Sequence, residues 1–124
     1  MTRNRRSAKA AGARFERQVA DYLAAHVDDR IDRRVKTGGK DKGDISGLRH
    51  MGQRVVVECK DTSRTELATW IREAQTEAGN DDAQVALVVH KRVGKGKPGD
   101  QWVTTTLADL VALLTGNTDH KEAT

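Results

Sequence analysis

Three observations predict an α/β fold with a mixed central β-sheet flanked by helices, in the order α-β-β-β-α-β-β-α. Apolar residues recur at helical spacing from Phe15 to His26. Two short apolar runs, residues 55–57 and 85–89, are rich in valine and too brief for helices. Each run is followed by a further helical pattern, one through Leu67 and Trp70 and one through Leu107 and Leu110.

The elements follow in order. Arg3, Arg5, Arg6, Lys9 and Arg14 lie among Ala and Gly with no apolar periodicity, so residues 1–12 are expected to form a flexible basic arm. Phe15, Val19, Tyr22, Leu23 and His26 then give the buried stripe of a first helix, with Glu16, Arg17, Asp21 and Asp28 outside it or on its margin. Residues 31–35 read as a short strand, and the Lys- and Gly-rich residues 36–43 as a basic loop. A hairpin comes next: residues 44–48 form one arm, 49–53 the turn and 54–60 the other arm. Ser63 and Glu66 have capping-box spacing before a helix through Leu67, Trp70, Ile71 and Ala74 that stops near Gly79 and Asn80.

The continuous run 85–89 suits a central strand covered on both faces, with His90, Lys91 and Arg92 at its exit. Residues 94–99, which hold the one proline, form a loop, and 101–105 a last strand. Thr106 and Asp109 cap a final helix whose Leu107, Leu110, Val111 and Leu114 are expected to face inward. The polar residues 117–124 are expected to be a disordered tail, which leaves 13–116 as a single domain.

A chain of 124 residues with 3% aromatics has room for one core, built from Val, Leu, Ile and Ala. The net charge of +4 is unevenly placed. Residues 1–64 hold 16 Lys and Arg against 9 Asp and Glu, and residues 65–124 hold 6 against 9. One basic face able to follow a phosphate backbone is therefore expected. A single cysteine, Cys59, excludes an internal disulfide and a cysteine-based zinc cage. No apolar run approaches the ~20 residues of a membrane span, and the first fourteen residues lack a signal-peptide core. A soluble protein of the cytoplasm is expected.

The chemistry concentrates on three residues. Side chains alternate along a strand, so Glu58 and Lys60 share one face and Cys59 points to the other. The hairpin brings Asp44 back beside Glu58. Two carboxylates and an ammonium at one sheet edge suit phosphodiester hydrolysis, because a hard divalent cation prefers carboxylate oxygens, water and substrate phosphate. Lys60 can orient the attacking water, help lower its pKa, or neutralise charge developing at phosphorus. The chain offers no Gly-rich phosphate loop, no Ser or Cys nucleophile beside a base, and no His pair at ligand spacing.

Gly43-Asp44, a 13-residue gap and Glu58-Cys59-Lys60 together resemble the signature of the PD-(D/E)xK restriction-endonuclease-like nucleases. Glu16, within Phe15-Glu16-Arg17, is similar to the first-helix glutamate of archaeal-type Holliday junction resolvases. Residues 33–60 and 102–114 resemble small resolvase-type proteins encoded by actinobacteria and their phages. The resemblance covers roughly residues 13–114 and implies a restriction-endonuclease-like core. It also implies Mg²⁺, with Mn²⁺ as a substitute, held by Asp44, Glu58, Glu16 and the Cys59 carbonyl. Gln75, like its neighbour Glu73, lies on the second helix, where related nucleases sometimes add a polar active-site residue. Gly43 departs from the family, which often has proline there, and few aromatics are available to stack on unpaired bases.

The function expected is thus a Mg²⁺-dependent, structure-selective DNA endonuclease of recombination and repair, resolving four-way junctions. Arg34, Lys36, Lys40 and Lys42, with Lys91 and Arg92, are the candidate DNA contacts. Symmetric cutting of two strands by a chain with one site requires a homodimer. Trp70 and Trp102 are candidates for the core or that interface. Two rivals stand beside this reading: a restriction-like, repair or nicking endonuclease on duplex or flap DNA, and a basic DNA-binding module without catalysis.

Overall fold

The computed structural model describes residues 4–36 and 38–123, so Met1, Thr2, Arg3, Thr37 and Thr124, parts of the expected arm, loop and tail, lie outside the described residues. Helix α1 spans Arg5–His26 and starts far earlier than its apolar stripe. Asn4 caps it, its side chain accepting the Ser7 amide at 2.8 Å. The arginines, lysine and alanines that follow are strong helix formers, so propensity and a cap suffice where periodicity is missing. Residues 5–12 are therefore helix and not arm. The buried stripe is Ala11, Phe15, Val19 and Ala20. Tyr22 and His26 lie outside it, their rings tilted against each other with centroids 4.5 Å apart.

The strands are β1 (Asp32–Arg33), β2 (Ile45–Ser46), β3 (Arg49–His50), β4 (Gln53–Lys60), β5 (Val85–His90) and β6 (Trp102–Thr104). They form one sheet in the order β1-β2-β4-β5-β6, with β3 paired to β4. The two valine-rich strands, β4 and β5, are parallel and central, and the other pairs are antiparallel. Helix α2 (Leu67–Asn80) is the crossover between them, and α3 (Leu107–Thr115) follows the last strand.

The hairpin register decides where Asp44 falls. Arg49 faces Arg54 and His50 faces Gln53, leaving the two-residue turn Met51-Gly52, both with positive φ. Continued without a break, that register would set Asp44 opposite Cys59. Ile45 instead faces Val57, so residues 46–48 oppose only 55 and 56. The extra residue is a bulge at Gly47, φ +88°, and it returns Asp44 to the face of Glu58.

Two layers cover the sheet. Phe15, Val19 and Ala20 of α1 pack on Ile31, Ile45 and Val57, with Cys59 against them. On the other face Trp70, Ala74 and Ala78 of α2 pack on Val56, Ala86 and Val88. Trp70 is buried, its ring 5.4 Å from that of His90. Trp70→Ala is expected to cost about 3–5 kcal/mol in denaturant unfolding followed by circular dichroism; a loss under about 1 kcal/mol would mean this core layer does not depend on the ring.

Three other expectations are corrected. Helix α2 begins at Leu67 with Glu66 as N-cap residue and no side-chain cap, so Ser63 lies outside it and the capping box does not form. Helix α3 is capped by Thr106 as expected, but Leu107, Leu110 and Leu114 are exposed, and Asp109 and Ala112 are its buried residues. Asp109 turns inward because its carboxylate accepts the Ala86 amide at 2.9 Å and the Gln75 amide at 3.1 Å. Finally, the polar tail is not loose. Residues 119–123 form a 3₁₀ turn that sets Lys121 Nζ 2.5 Å from Asp109 and His120 Nε2 2.7 Å from the Ala108 carbonyl.

Candidate active site

Strand β4 ends as Val56-Val57-Glu58-Cys59-Lys60, and its alternation sends Glu58 and Lys60 to the α2 side and Cys59 to the α1 side. Asp44, placed by the bulge, joins Glu58. Asp44 and Glu58 are buried. Asp44 is well held: its Oδ2 accepts the Cys59 amide at 2.8 Å and its Oδ1 accepts Lys36 Nζ at 3.0 Å. Gly43, just before it, has φ +95°, a conformation closed to proline. A Cβ there would lie 2.9 Å from Val56 Cγ1, so glycine stands where the backbone crosses β4 closely.

Two further carboxylates complete the cluster. Glu77 of α2 is buried, and one oxygen each from Asp41, Glu58 and Glu77 lie within 4.8 Å of one another. Glu77 Oε2 is buried with no hydrogen-bond partner. Lys60 Nζ reaches Glu73, one helical turn before Glu77, at 3.7 Å.

The electrostatics follow from this crowding. Burial, then the Asp44 and Glu77 carboxylates, push the Glu58 carboxyl up to about 12, so in the metal-free protein Glu58 holds a proton. Burial acts to raise Asp44 too, but hydrogen bonds from Glu58, the Cys59 amide and Lys36 outweigh it and hold Asp44 below the usual carboxylate range. Glu77 is raised, chiefly by burial and by the charges of Asp41 and Asp44. Burial and the neighbouring carboxylates also push the Cys59 thiol up, which keeps it inert. An oxygen-only donor set with an unpartnered buried oxygen fits a hard divalent cation.

The other sequence candidates divide. Glu16 lies on the α1 side, where its charge acts on Cys59 and Lys36, and its carboxylate accepts Arg33 Nε at 2.8 Å. Lys40 and Lys42 are exposed on the basic loop, which with Arg34, Lys36 and Asn80 lines a cleft of about 660 Å³. Arg34 reaches Asp81 at 3.5 Å. Lys91 is engaged by the Arg92 and Lys95 carbonyls, and Arg92 lies over the Trp102 ring, 4.0 Å from its centroid. Gln75 points to Asp109, not to the carboxylates. Asp41 and Glu77 were absent from the sequence candidates. Glu77 had a signal: Trp70, Ala74, Glu77 and Ala78 form one helical stripe, and a carboxylate inside an apolar stripe needs a partner.

An α/β core whose mixed sheet sets Asp44 and the Glu58-Cys59-Lys60 strand end at one edge is that of a restriction-endonuclease-like nuclease of the PD-(D/E)xK type. The family model described as "Phage putative PDDEXK endonuclease" matches residues 7–116, and the chain belongs to that family. No curated protein and no solved structure matches it. As an endonuclease its macromolecular partner is DNA. No helix among the described residues is long and apolar enough to cross a membrane.

Proposed function

We propose that this nuclease is a Mg²⁺-dependent, structure-selective DNA endonuclease that resolves four-way junctions as a homodimer. The observation that carries the reading is the meeting of Asp44 and Glu58 at the end of β4, with Lys60 on the Glu58 face of that strand and an exposed basic loop leading into Asp44. Asp44, Glu58 and the Cys59 carbonyl would hold the cation; Glu16, on the α1 side, would have to leave its pair with Arg33 to add a carboxylate. A bound divalent cation polarises the phosphate and acidifies water, which is how hydrolysis becomes possible at neutral pH. Lys60, on the same face, stabilises charge developing on the phosphate oxygens. Lys36 holds Asp44 in place, so it acts on the site before it acts on DNA. Lys40 and Lys42 bind the backbone without reading sequence, which suits recognition by shape.

The resemblance of residues 33–60 to resolvase-type proteins supports the junction as substrate. A two-fold dimer supplies two sites, and the exposed Trp102 and Val103 on edge strand β6, with Leu107 and Leu114 on α3, offer an apolar face for a second copy. The enzyme works where phage and bacterial DNA recombine, in the cytoplasm.

The test is cleavage of a labelled synthetic four-way junction with Mg²⁺, beside a linear duplex of the same sequence and a flap. Paired symmetric nicks in the junction alone are expected, from a species that sediments as a dimer. Equal cutting of the duplex would make the enzyme a general or restriction-like endonuclease, and a strictly monomeric species with and without junction DNA would remove resolution as the function.

A further inference from the structure

We infer that Arg34, Arg49 and Arg54, with Lys42, form a phosphate-binding pocket that takes one backbone phosphate of the DNA strand, several nucleotides from the bond that is cut. The inference rests on the nuclease reading above for its ligand, and it adds two arginines of the β3–β4 hairpin to the residues of the basic loop.

Three segments meet at the pocket: the chain after β1, the β3–β4 hairpin and the end of α2. Arg34, Lys42, Arg49, Arg54 and Asp81 line a depression of about 310 Å³, with the bulge at Gly47 in its wall. Four cations thus share one carboxylate. Arg49 and Arg54 stand directly opposite each other in the hairpin register, where two like charges repel and weaken the strand pair. An anion between them reverses that repulsion. Arg34 is left with a donor unfilled: its Nη2 reaches Asp81 only at 3.5 Å, and its Nε is buried with no hydrogen-bond partner. Native structures leave few buried donors unpaired, so this one points to an acceptor that the protein does not supply. Arg54 is held in place, its Nη1 donating to the Asp81 carbonyl at 2.9 Å, while the side chains of Arg49 and Lys42 make no hydrogen bond or ion pair among the described residues. Guanidinium forks match the oxygens of a phosphate, which makes a phosphate group the fitting anion.

The pocket lies on the path to the carboxylates. Arg34 and Lys42 also line the cleft of the basic loop, and Asp41, in that same cleft, approaches Glu58. Arg54 precedes Glu58 by four residues of β4, about 13 Å at ~3.3 Å per residue. Several successive phosphates of one strand cover that span at ~3.4 Å each along a duplex axis. Because the pocket continues into the loop cleft, a strand can run on through it, which favours an internal linkage over a strand end. A phosphate held there sets the position of the strand over the carboxylates without reading a base.

Binding of labelled duplex and four-way junction DNA to the full chain without metal, followed by fluorescence anisotropy across a KCl series, tests this apart from turnover. Arg49→Gln, an exposed change, and Arg54→Gln are each expected to weaken binding about tenfold and to flatten the slope of log affinity against log salt by roughly 0.9. Arg49→Lys is expected to keep the slope. Lys91→Gln, which removes the same charge from a side chain engaged by loop carbonyls, is expected to change neither quantity. Unchanged slopes in Arg49→Gln and Arg54→Gln, or an equal drop in Lys91→Gln, overturn the inference. A loss confined to DNA that carries a 5′-terminal phosphate also overturns it, by making the ligand a strand end. Cleavage by the same proteins separates the two readings: cutting by the wild-type chain with slopes unchanged in the variants removes the pocket and leaves the nuclease, whereas slopes lowered as stated with no cutting by the wild-type chain support the pocket and remove the nuclease reading.

Discussion

Glu58→Ala and Asp44→Asn are each expected to lower metal-dependent DNA cleavage by roughly 10³-fold or more, with folding intact. The two carboxylates have different starting states, and the loss has a different origin in each. Asp44 is already ionised, held below the usual carboxylate range by three hydrogen-bond donors. Neutralising it removes a charge aimed at the cation while leaving a side chain that still accepts the Cys59 amide. Glu58 is protonated in the metal-free protein, so the cation must displace its proton, and metal affinity should rise with pH. Its removal takes away the one oxygen ligand on the sheet that both Asp44 and Glu77 face. Lys60→Ala is expected to keep metal binding and lose about 10²–10³-fold in kcat, because its ammonium acts on the transition state and not on the ion. The control is Lys91→Ala, whose ammonium is consumed by loop carbonyls and should leave cleavage within about threefold. Cleavage of labelled DNA under single-turnover conditions reads all four variants; if Glu58→Ala and Asp44→Asn both stay within tenfold of wild type, the site lies elsewhere.

What the sequence made legible was the centre of this arrangement. Residues 54–60 and 85–89 had the composition of buried central strands, and period-two alternation put Glu58 and Lys60 on one face before any contact was known. The pairing of Asp44 with Glu58 was also legible, though through a five-residue turn. The molecule reaches it by a tighter turn at Met51-Gly52 and a compensating bulge at Gly47, which no local pattern distinguishes from a longer loop. Three things were hidden for three physical reasons. The start of α1 depends on the Asn4 cap and on helix propensity, and apolar periodicity is blind to both. The inward turn of α3 depends on Asp109 finding Ala86, Gln75 and Lys121, partners scattered between residues 75 and 121. Glu77 and Asp41 meet Glu58 only once α2 crosses the sheet and the basic loop folds against its end, so their role is tertiary and leaves no spacing to count.

The same crowding makes stability depend on pH in an unusual direction. Glu58 has a higher pKa in the folded chain than the ordinary 4.5, rising to about 12, so above about pH 4.5 the folded state binds a proton that the unfolded state has released. That contribution is fully present below 4.5 and is lost as pH climbs towards the folded value, so metal-free stability should fall between about pH 5 and pH 9. Glu77, raised as well, adds to this fall; Asp44 has the opposite sign but titrates below this window, and His90, lowered by burial, adds an opposing rise below its ordinary 6.5. Comparing wild type with Glu58→Gln cancels the His90 contribution and isolates the carboxylate cluster. The amide keeps the hydrogen bonds without the charge, so Glu58→Gln is expected to match wild type near pH 5 and exceed it near pH 9 by on the order of 2 kcal/mol. For a chain of this length that is about 8 °C in Tm. Mg²⁺ or Mn²⁺ should close the gap at the alkaline end by stabilising only the wild-type chain, since a ligand that binds the folded state alone raises its stability by mass action. Thermal melts across that pH range, with and without metal, read both effects. A Tm difference that does not grow with pH would mean that Glu58 is ionised in the resting protein, and that water or an ion, not a shared proton, already neutralises the cluster.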